Sequence, residues 1–445
     1  MTASYDLIIR NARDTTGMPI SVAIRDGLIA EVGPDVTGRG AEYDARELTL
    51  GTGFHDHHCH LLATAARMES IDLTVCRTEE AVVARLRAGT ATPDQWIRAF
   101  GYDERVAGLP DRDLLDRWLP DIPLRMQDRT GAYWLLNTAG IARLGDEPLH
   151  ACVEREINGR PTGRIWRGDA WLRERIGGSP PSLAALGHRL MQWGVTGVTD
   201  AGASNGAAEA RLLAGAIPQR LVIMGTDALP NGEGYAVGAV KLLLDENDLP
   251  PMSHTVGRIT AARALSRNVA AHCATLGELL FYLEALHQSG GARAGDRIEH
   301  GSVITESLIG DIASAGLTVV TQANFIHDRG DRYREQIDRS ELDDLYRLGS
   351  LVRGGVRVLG GSDSPYGNIN PWIALRAARN RRTREGSVIG AGEAIDRSAA
   401  LALYQYSPLT KGAPADLILY NWPEDSGALG EVSLTLFGGE IVWQR

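Results

Sequence analysis

Short runs in which apolar and polar residues alternate occupy both ends of the chain. Longer apolar runs, separated by amphipathic stretches, fill the middle. Near the N-terminus, residues 5–10, 21–25, 28–32 and 43–50 carry the period-two pattern of strands, with Asp26-Gly27 and Gly33-Pro34 as turns. Residues 416–420, 433–437 and 440–443 repeat it, with Gly438-Gly439 as the turn. The pattern predicts one small β-sandwich built from both termini, residues 1–52 and 409–445.

The middle, residues 53–408, alternates β-type apolar runs with helical periodicity, which signals βαβ units and an α/β fold of the (β/α)₈ barrel type. From residue 238 onward the runs 238–243, 268–272, 297–300, 317–322 and 356–360 supply the last five barrel strands. Helices fit at 278–287, 306–315 and 341–353. Before residue 238, four runs (96–102, 123–127, 195–200 and 221–225) compete for two places, and the pattern does not choose among them. Residues 109–181, rich in charge and tryptophan, read as an insertion.

The segment Gly53-Phe54-His55-Asp56-His57-His58-Cys59-His60 carries the strongest chemical signal. On a strand, successive side chains face opposite ways. Asp56, His58 and His60 then share one face, and His55, His57 and Cys59 the other. Two imidazoles at i and i+2 can grip one metal ion of the zinc type. His55 and His57 read as packing groups behind them. Four more residues lie late in a strand or in the turn after it: Lys241, His272, His300 and Asp363. Side chains at those positions of a barrel converge on a single site. Lys241 to His272 is 31 residues, His272 to His300 is 28 and His300 to Asp363 is 63, or one, one and two βα units.

Composition narrows the function without naming it. The 445 residues are 44% hydrophobic and 23% charged, as in ordinary globular proteins. Lys plus Arg is 46 against 56 for Asp plus Glu, a net charge of −10, which offers nothing to nucleic acid or an anionic membrane. No signal peptide and no apolar run of spanning length is visible. Four cysteines without paired spacing (Cys59, Cys76, Cys152 and Cys273) fit a reducing cytoplasm. A homodimer is the default expectation. The basic run Arg376, Arg379, Arg381, Arg382 and Arg384 reads as a solvated helix face.

The ordered motifs resemble the amidohydrolase superfamily, and within it amidohydrolase family 3. They are Gly53-Phe54-x-Asp56-x-His58-x-His60, Trp96-Ile97-x-x-x-Gly101-Tyr102-Asp103, Gly194-Val195-Thr196-Gly197-Val198-Thr199-Asp200, Arg297-Ile298-Glu299-His300, Gly361-Ser362-Asp363-Ser364-Pro365 and Gly412-Ala413-Pro414-Ala415-Asp416-Leu417. The resemblance implies a two-metal site: His58 and His60 with Asp363 at one ion, His272 and His300 at the second, and Lys241, carboxylated by carbon dioxide, bridging both. It implies zinc, with cobalt, manganese or iron accepted by the same ligands, and a metal-bridged hydroxide attacking a small-molecule substrate. Asp363 would move the proton. The reaction implied is cleavage of a C–N bond in an amide, cyclic amide, urea or carbamate. A mononuclear hydrolytic deaminase and an inactive scaffold are the alternatives; the second is disfavoured because all six ligand positions are filled.

Family members place substrate contacts after the seventh strand, which nominates Gln322, Asn324, His327 and Asp328, and Tyr102 and Asp103 are similar candidates. The chain departs from the family at Gly131-Ala132, where Gly-His is common ahead of an Asn (here Asn137), and at Asp245-Glu246, where Asp-Gly is common. The first departure touches substrate orientation and the second the loop after the lysine strand.

Overall fold

A computed structural model describes residues 3–92, 94–145, 150–177, 180–425 and 427–445. Residues 146–149 and 178–179 of the expected 109–181 insertion lie outside the described residues. The chain divides into two units, one of Met1–Leu61 with Leu183–Arg445 and one of Leu62–Ser182. Among the described residues no helix is long and apolar enough to cross a membrane.

In the first unit both termini share one eight-stranded sheet. Strand Leu417–Asn421 pairs antiparallel with Thr49–Thr52, setting Leu419 opposite Leu50 and joining the two ends. Ile9, Val22, Ile24, Leu50, Leu417, Leu419, Leu434 and Leu436 pack in one buried cluster there. The run 43–50 is not the single strand its alternation predicts. It splits into Arg39–Asp44 and Thr49–Thr52 because Arg46 and Glu47 adopt left-handed φ values of 50° and 66°.

The second sheet of this unit has eight parallel strands: β1 (Phe54–Cys59), β2 (Val195–Asp200), β3 (Arg220–Gly225), β4 (Ala236–Leu242), β5 (Val269–Cys273), β6 (Arg297–His300), β7 (Thr318–Thr321) and β8 (Arg357–Gly360). Each pairs with the next in chain order. Just beyond β8, the Asp363 amide donates to the His58 carbonyl and the His60 amide to the Ser364 carbonyl, both at 2.8 Å, which brings the ends of the sheet together as a barrel. The competition for two strand places is thus settled in favour of Val195–Asp200 and Arg220–Gly225.

The helix expected over 341–353 forms as two pieces, Arg339–Leu342 and Leu348–Arg353. Tyr346, at φ 50°, breaks the run between them. Its buried hydroxyl accepts from Ser302 Oγ at 3.2 Å. The basic run is not simply a solvated face. Arg381 is fully buried in a left-handed position at the end of helix Pro371–Asn380, and donates to the carbonyls of Ile389, Tyr346 and Leu345 at 2.9, 2.9 and 2.7 Å. Three carbonyl acceptors make that burial tolerable.

The second unit contains a six-stranded sheet in the order Ile71–Asp72, Ile97–Tyr102, Leu124–Asp128, Tyr133–Leu136, Pro161–Trp166, Val153–Arg155. The two unplaced strand candidates belong here, so the inserted structure starts well before residue 109. Ile97, Leu115, Trp118, Leu124, Met126 and Leu135 form one core, and Trp96, Trp134, Ile165 and Leu172 a second. Asn137 is fully buried and makes four hydrogen bonds in this unit. Its Oδ1 accepts from the amides of Leu124 (2.9 Å) and Gly140 (2.8 Å), and its Nδ2 donates to the carbonyls of Leu119 (2.7 Å) and Ile122 (2.9 Å).

Candidate metal centre

All six residues singled out as ligands lie in the first unit, at the carboxyl ends of β1, β4, β5, β6 and β8. The alternation along β1 sorts its histidines. The His55 and His57 rings lie 4.5 Å apart on one side, and those of His58 and His60 5.4 Å apart on the other. His55 Nε2 meets Thr199 Oγ1 at 2.8 Å, and its ring stacks on Tyr406.

His58, His60 and Asp363 bring one potential ligand atom each to within 4.8 Å of one another, a spacing a single ion can bridge. Asp363 Oδ1 is 3.4 Å from His58 Nε2 and 3.2 Å from His60 Nε2. The rings continue from His58 to His300 (centroids 4.8 Å apart) and from His300 to His272 (4.4 Å). His300 and Asp363 both sit at left-handed φ, 69° and 49°. Such backbone costs of order 1–3 kcal/mol per residue and clusters at functional sites. Gly361 is required by closeness: a Cβ there would lie 2.6 Å from His58 Cβ and 2.9 Å from His58 N.

Asp56 is the strut of this region. Its Oδ1 accepts from the His58 amide at 3.1 Å and the Ser362 amide at 3.0 Å, tying the end of β1 to the turn that carries Asp363. Burial pushes its carboxyl up to about 6.

Lys241, on β4, is 3% exposed, and its Nζ has no hydrogen-bond partner among the described residues. The nearest acid is Glu299, with Oε2 at 3.9 Å. Burial lowers the lysine's pKa, which favours the neutral amine. Burial also lowers His272, to about 4, and takes His300 well below the usual imidazole range. Both are then neutral, as metal ligation requires. Asp363 is held well below the usual carboxylate range: burial alone would raise it, but His58 and His60 outweigh that.

Glu299, the third residue of the Arg297-Ile298-Glu299-His300 motif, is a further member of this site. It is fully buried and accepts from His58 Nδ1. Arg297 grips it from below, with Nε 2.6 Å from Oε1 and Nη2 3.0 Å from Oε2. The signal was present in Arg297-Ile298-Glu299: an Arg and a Glu at i and i+2 share a strand face.

The substrate candidates fall in both units. Gln322 is fully buried with its Oε1 2.9 Å from His300 Nδ1, so it orients that ring. Asn324, also fully buried, donates to the Ser362 carbonyl at 2.9 Å and opens the helix Asn324–Gln336. His327 Nδ1 lies 3.0 Å from Asp328 Oδ1 on the same helix. Tyr102 and Asp103 belong to the second unit. The Tyr102 ring is buried in that unit's core with its hydroxyl donating to the Gly108 carbonyl at 2.8 Å, and Asp103 pairs with Arg105 at 2.6 Å.

A parallel eight-stranded barrel with imidazole, amine and carboxylate groups gathered at its strand ends defines a metal-dependent hydrolase. The chain matches the amidohydrolase family over residues 41–443 and belongs to that family, so it is a hydrolase of carbon–nitrogen bonds other than peptide bonds. An N-substituted formamide deformylase of Arthrobacter pascens is 24% identical to it, over 92% of this chain and 90% of that one. The putative amidohydrolase YtcJ of Bacillus subtilis (strain 168) is 21% identical, over 96% of each chain. An uncharacterized metal-dependent hydrolase from Pyrococcus horikoshii OT3 shares the fold, with a TM-score of 0.77 at 19% identity, covering 95% of this chain and 98% of that one.

Proposed function

We propose that this protein hydrolyses the C–N bond of a small N-substituted amide, or of a related cyclic amide, urea or carbamate, at a centre of two divalent ions. His58, His60 and Asp363 hold one ion and His272 and His300 the other. Zinc is the first choice, and cobalt, manganese or iron suit the same donors. Lys241, once carboxylated, would supply anionic oxygens to both.

The observation that carries this reading is the Lys241 amine, buried without a hydrogen-bond partner among the described residues, 3.9 Å from Glu299 and within electrostatic reach of His58, His272, His300 and Asp363. An ammonium there would repel a cation. When the neutral amine attacks carbon dioxide, an N–C bond forms, one proton leaves the nitrogen, and the resulting carbamate offers two anionic oxygens.

Bound ions supply Lewis acidity toward the substrate carbonyl and lower the pKa of water. Asp363, ionised beside His58 and His60, accepts the proton of the attacking water. It then returns that proton to the leaving nitrogen, so one carboxylate serves both halves of the reaction. Tyr366, half exposed, sets its ring edge-on to His60 at 6.0 Å and offers an apolar wall for the substrate's substituent. The N-substituted formamide deformylase of Arthrobacter pascens, similar over most of both chains, supports that substrate class. The four cysteines are unpaired, which supports a cytoplasmic setting.

A mononuclear deaminase has one observation in its favour. Among the described residues the single group of three matched donors is His58, His60 and Asp363. Elemental analysis of the purified protein separates the two readings. Two ions per chain, with turnover of amides, ureas or cyclic imides, is the expected result. One ion per chain with activity on an aminated heterocycle would replace the reading with the deaminase.

A further inference from the structure

The two halves of the centre are supported from behind in different ways. An imidazole ligates through an unprotonated nitrogen, and the hydrogen bond made by its other nitrogen decides which one that is. His58 presents Nδ1 to Glu299, so Nδ1 carries the proton and Nε2 is left for an ion beside Asp363. His300 presents Nδ1 to Gln322 Oε1 at 2.9 Å. The tautomer is the same, but the acceptor is a neutral amide.

Glu299 is locked in place. Both of its oxygens are held by Arg297, whose Nη2 also donates to the His57 carbonyl at 2.8 Å. Glu299 and His300 are neighbours on β6, where alternation would send them to opposite faces. The left-handed backbone of His300 breaks that alternation, and both side chains reach the His58 ring.

We propose that Glu299 and Gln322 are positioning residues that make the two ions bind unequally, the His58 ion tightly through its carboxylate-backed imidazole and the His300 ion weakly through its amide-backed one. This rests on the two-ion reading above. An anionic acceptor draws on the Nδ1–H bond, raises the donor strength of Nε2 and adds a negative charge near the cation. Gln322 does neither, and its own Nε2 has no partner among the described residues.

The test is a Co(II) titration of full-length protein stripped by chelation, in bicarbonate buffer. Ions bound are read by competition with a chromophoric chelator and by the Co(II) d–d absorption. Wild type is expected to fill in two steps at least about 10-fold apart in affinity. Glu299→Gln should weaken the tight step by about 10- to 100-fold and leave the weak step in place, and Glu299→Asp should restore part of the loss. Gln322→Glu should tighten the weak step.

Two steps of equal affinity in wild type would overturn the inference while leaving the two-ion reading intact. So would an unchanged tight step in a folded Glu299→Gln protein. Should that variant not fold, the wild-type steps and Gln322→Glu decide. Saturation at one ion overturns the two-ion reading instead, and the effect of Glu299→Gln on that ion then decides the role of Glu299 alone.

Discussion

The amide of Asp363 donates to the carbonyl of His58 at 2.8 Å. Two residues 305 positions apart, which also bring a carboxylate and an imidazole to one ion site, are therefore backbone partners in the seam that closes the barrel. The His60 amide extends the seam to Ser364. Ligand geometry and barrel closure are one construction, and whatever parts β1 from β8 also parts the ligands.

Gly361→Ala tests that coupling. The added methyl would lie 2.6 Å from His58 Cβ, with backbone of β1 directly behind it, so it cannot be absorbed by a flexible side chain. Overpacking of this kind costs about 1–3 kcal/mol. The expected result is a lower thermal unfolding midpoint together with fewer ions per chain by elemental analysis. A loss of stability with full metal content would show that the seam and the ligands are independent.

Arg381→Met should be among the most damaging single changes outside the metal centre. It strands the carbonyls of Ile389, Tyr346 and Leu345, and each unsatisfied buried group costs about 1–3 kcal/mol. A total loss of about 3–5 kcal/mol is expected in urea unfolding. Exposed Arg382, one residue on, serves as the comparison, and its change to Met should stay within about 0.5 kcal/mol. Similar effects from the two would mean the buried guanidinium anchors nothing.

The six candidate ligands stood out because each sits at the end of a strand, where sequence position fixes direction, and because their spacings match whole βα units. Their supports did not. Glu299 acts on His58, 241 residues away, and Gln322 on His300, through contacts that exist only once the barrel has closed. Strand-end position showed that Gln322 points into the site, and it was silent on the neighbour. The choice among four early strands was only half visible in the sequence. Ile97-Arg98-Ala99-Phe100 and Leu124-Arg125-Met126-Gln127 alternate as half-buried strands do, and both show that burial. Val195–Asp200 is buried throughout, as a barrel strand must be, but Thr196, Thr199 and Asp200 disguise it as amphipathic. Arg381 was hidden by its basic neighbours, since nothing local marks one arginine of five as buried.

Asn137→Ala should open the second unit locally. The change leaves two buried amides and two carbonyls without partners at the edge of helix Thr138–Ala142 and strand Leu124–Asp128. Hydrogen exchange by mass spectrometry should show faster exchange over residues 119–140, by about 10-fold or more, while peptides of the barrel strands keep their protection. Uniform acceleration over the whole chain would contradict a local role. Unchanged exchange would mean that the four hydrogen bonds are replaced by water at no cost.

Lys241→Ala addresses the bridge directly. The side chain removed is buried and makes no hydrogen bond among the described residues, and Glu299, 3.9 Å away, stays paired with Arg297, so the fold loses little polar pairing and what disappears is the amine that would carry the carbamate. On the two-ion proposal, elemental analysis should fall from two ions per chain to about one, and kcat on an amide substrate by about 100-fold or more, because both ions would serve the Lewis acid and the activated water. A small carboxylate such as acetate can take the place of the lost carbamate in the space the side chain vacates. Added acetate should therefore return part of the second ion, and with it part of the activity. Return of metal with acetate separates loss of the bridge from collapse of the site, because a collapsed site has nowhere to put it. Full activity and unchanged metal content in the variant would mean that Lys241 is a buried lysine and nothing more.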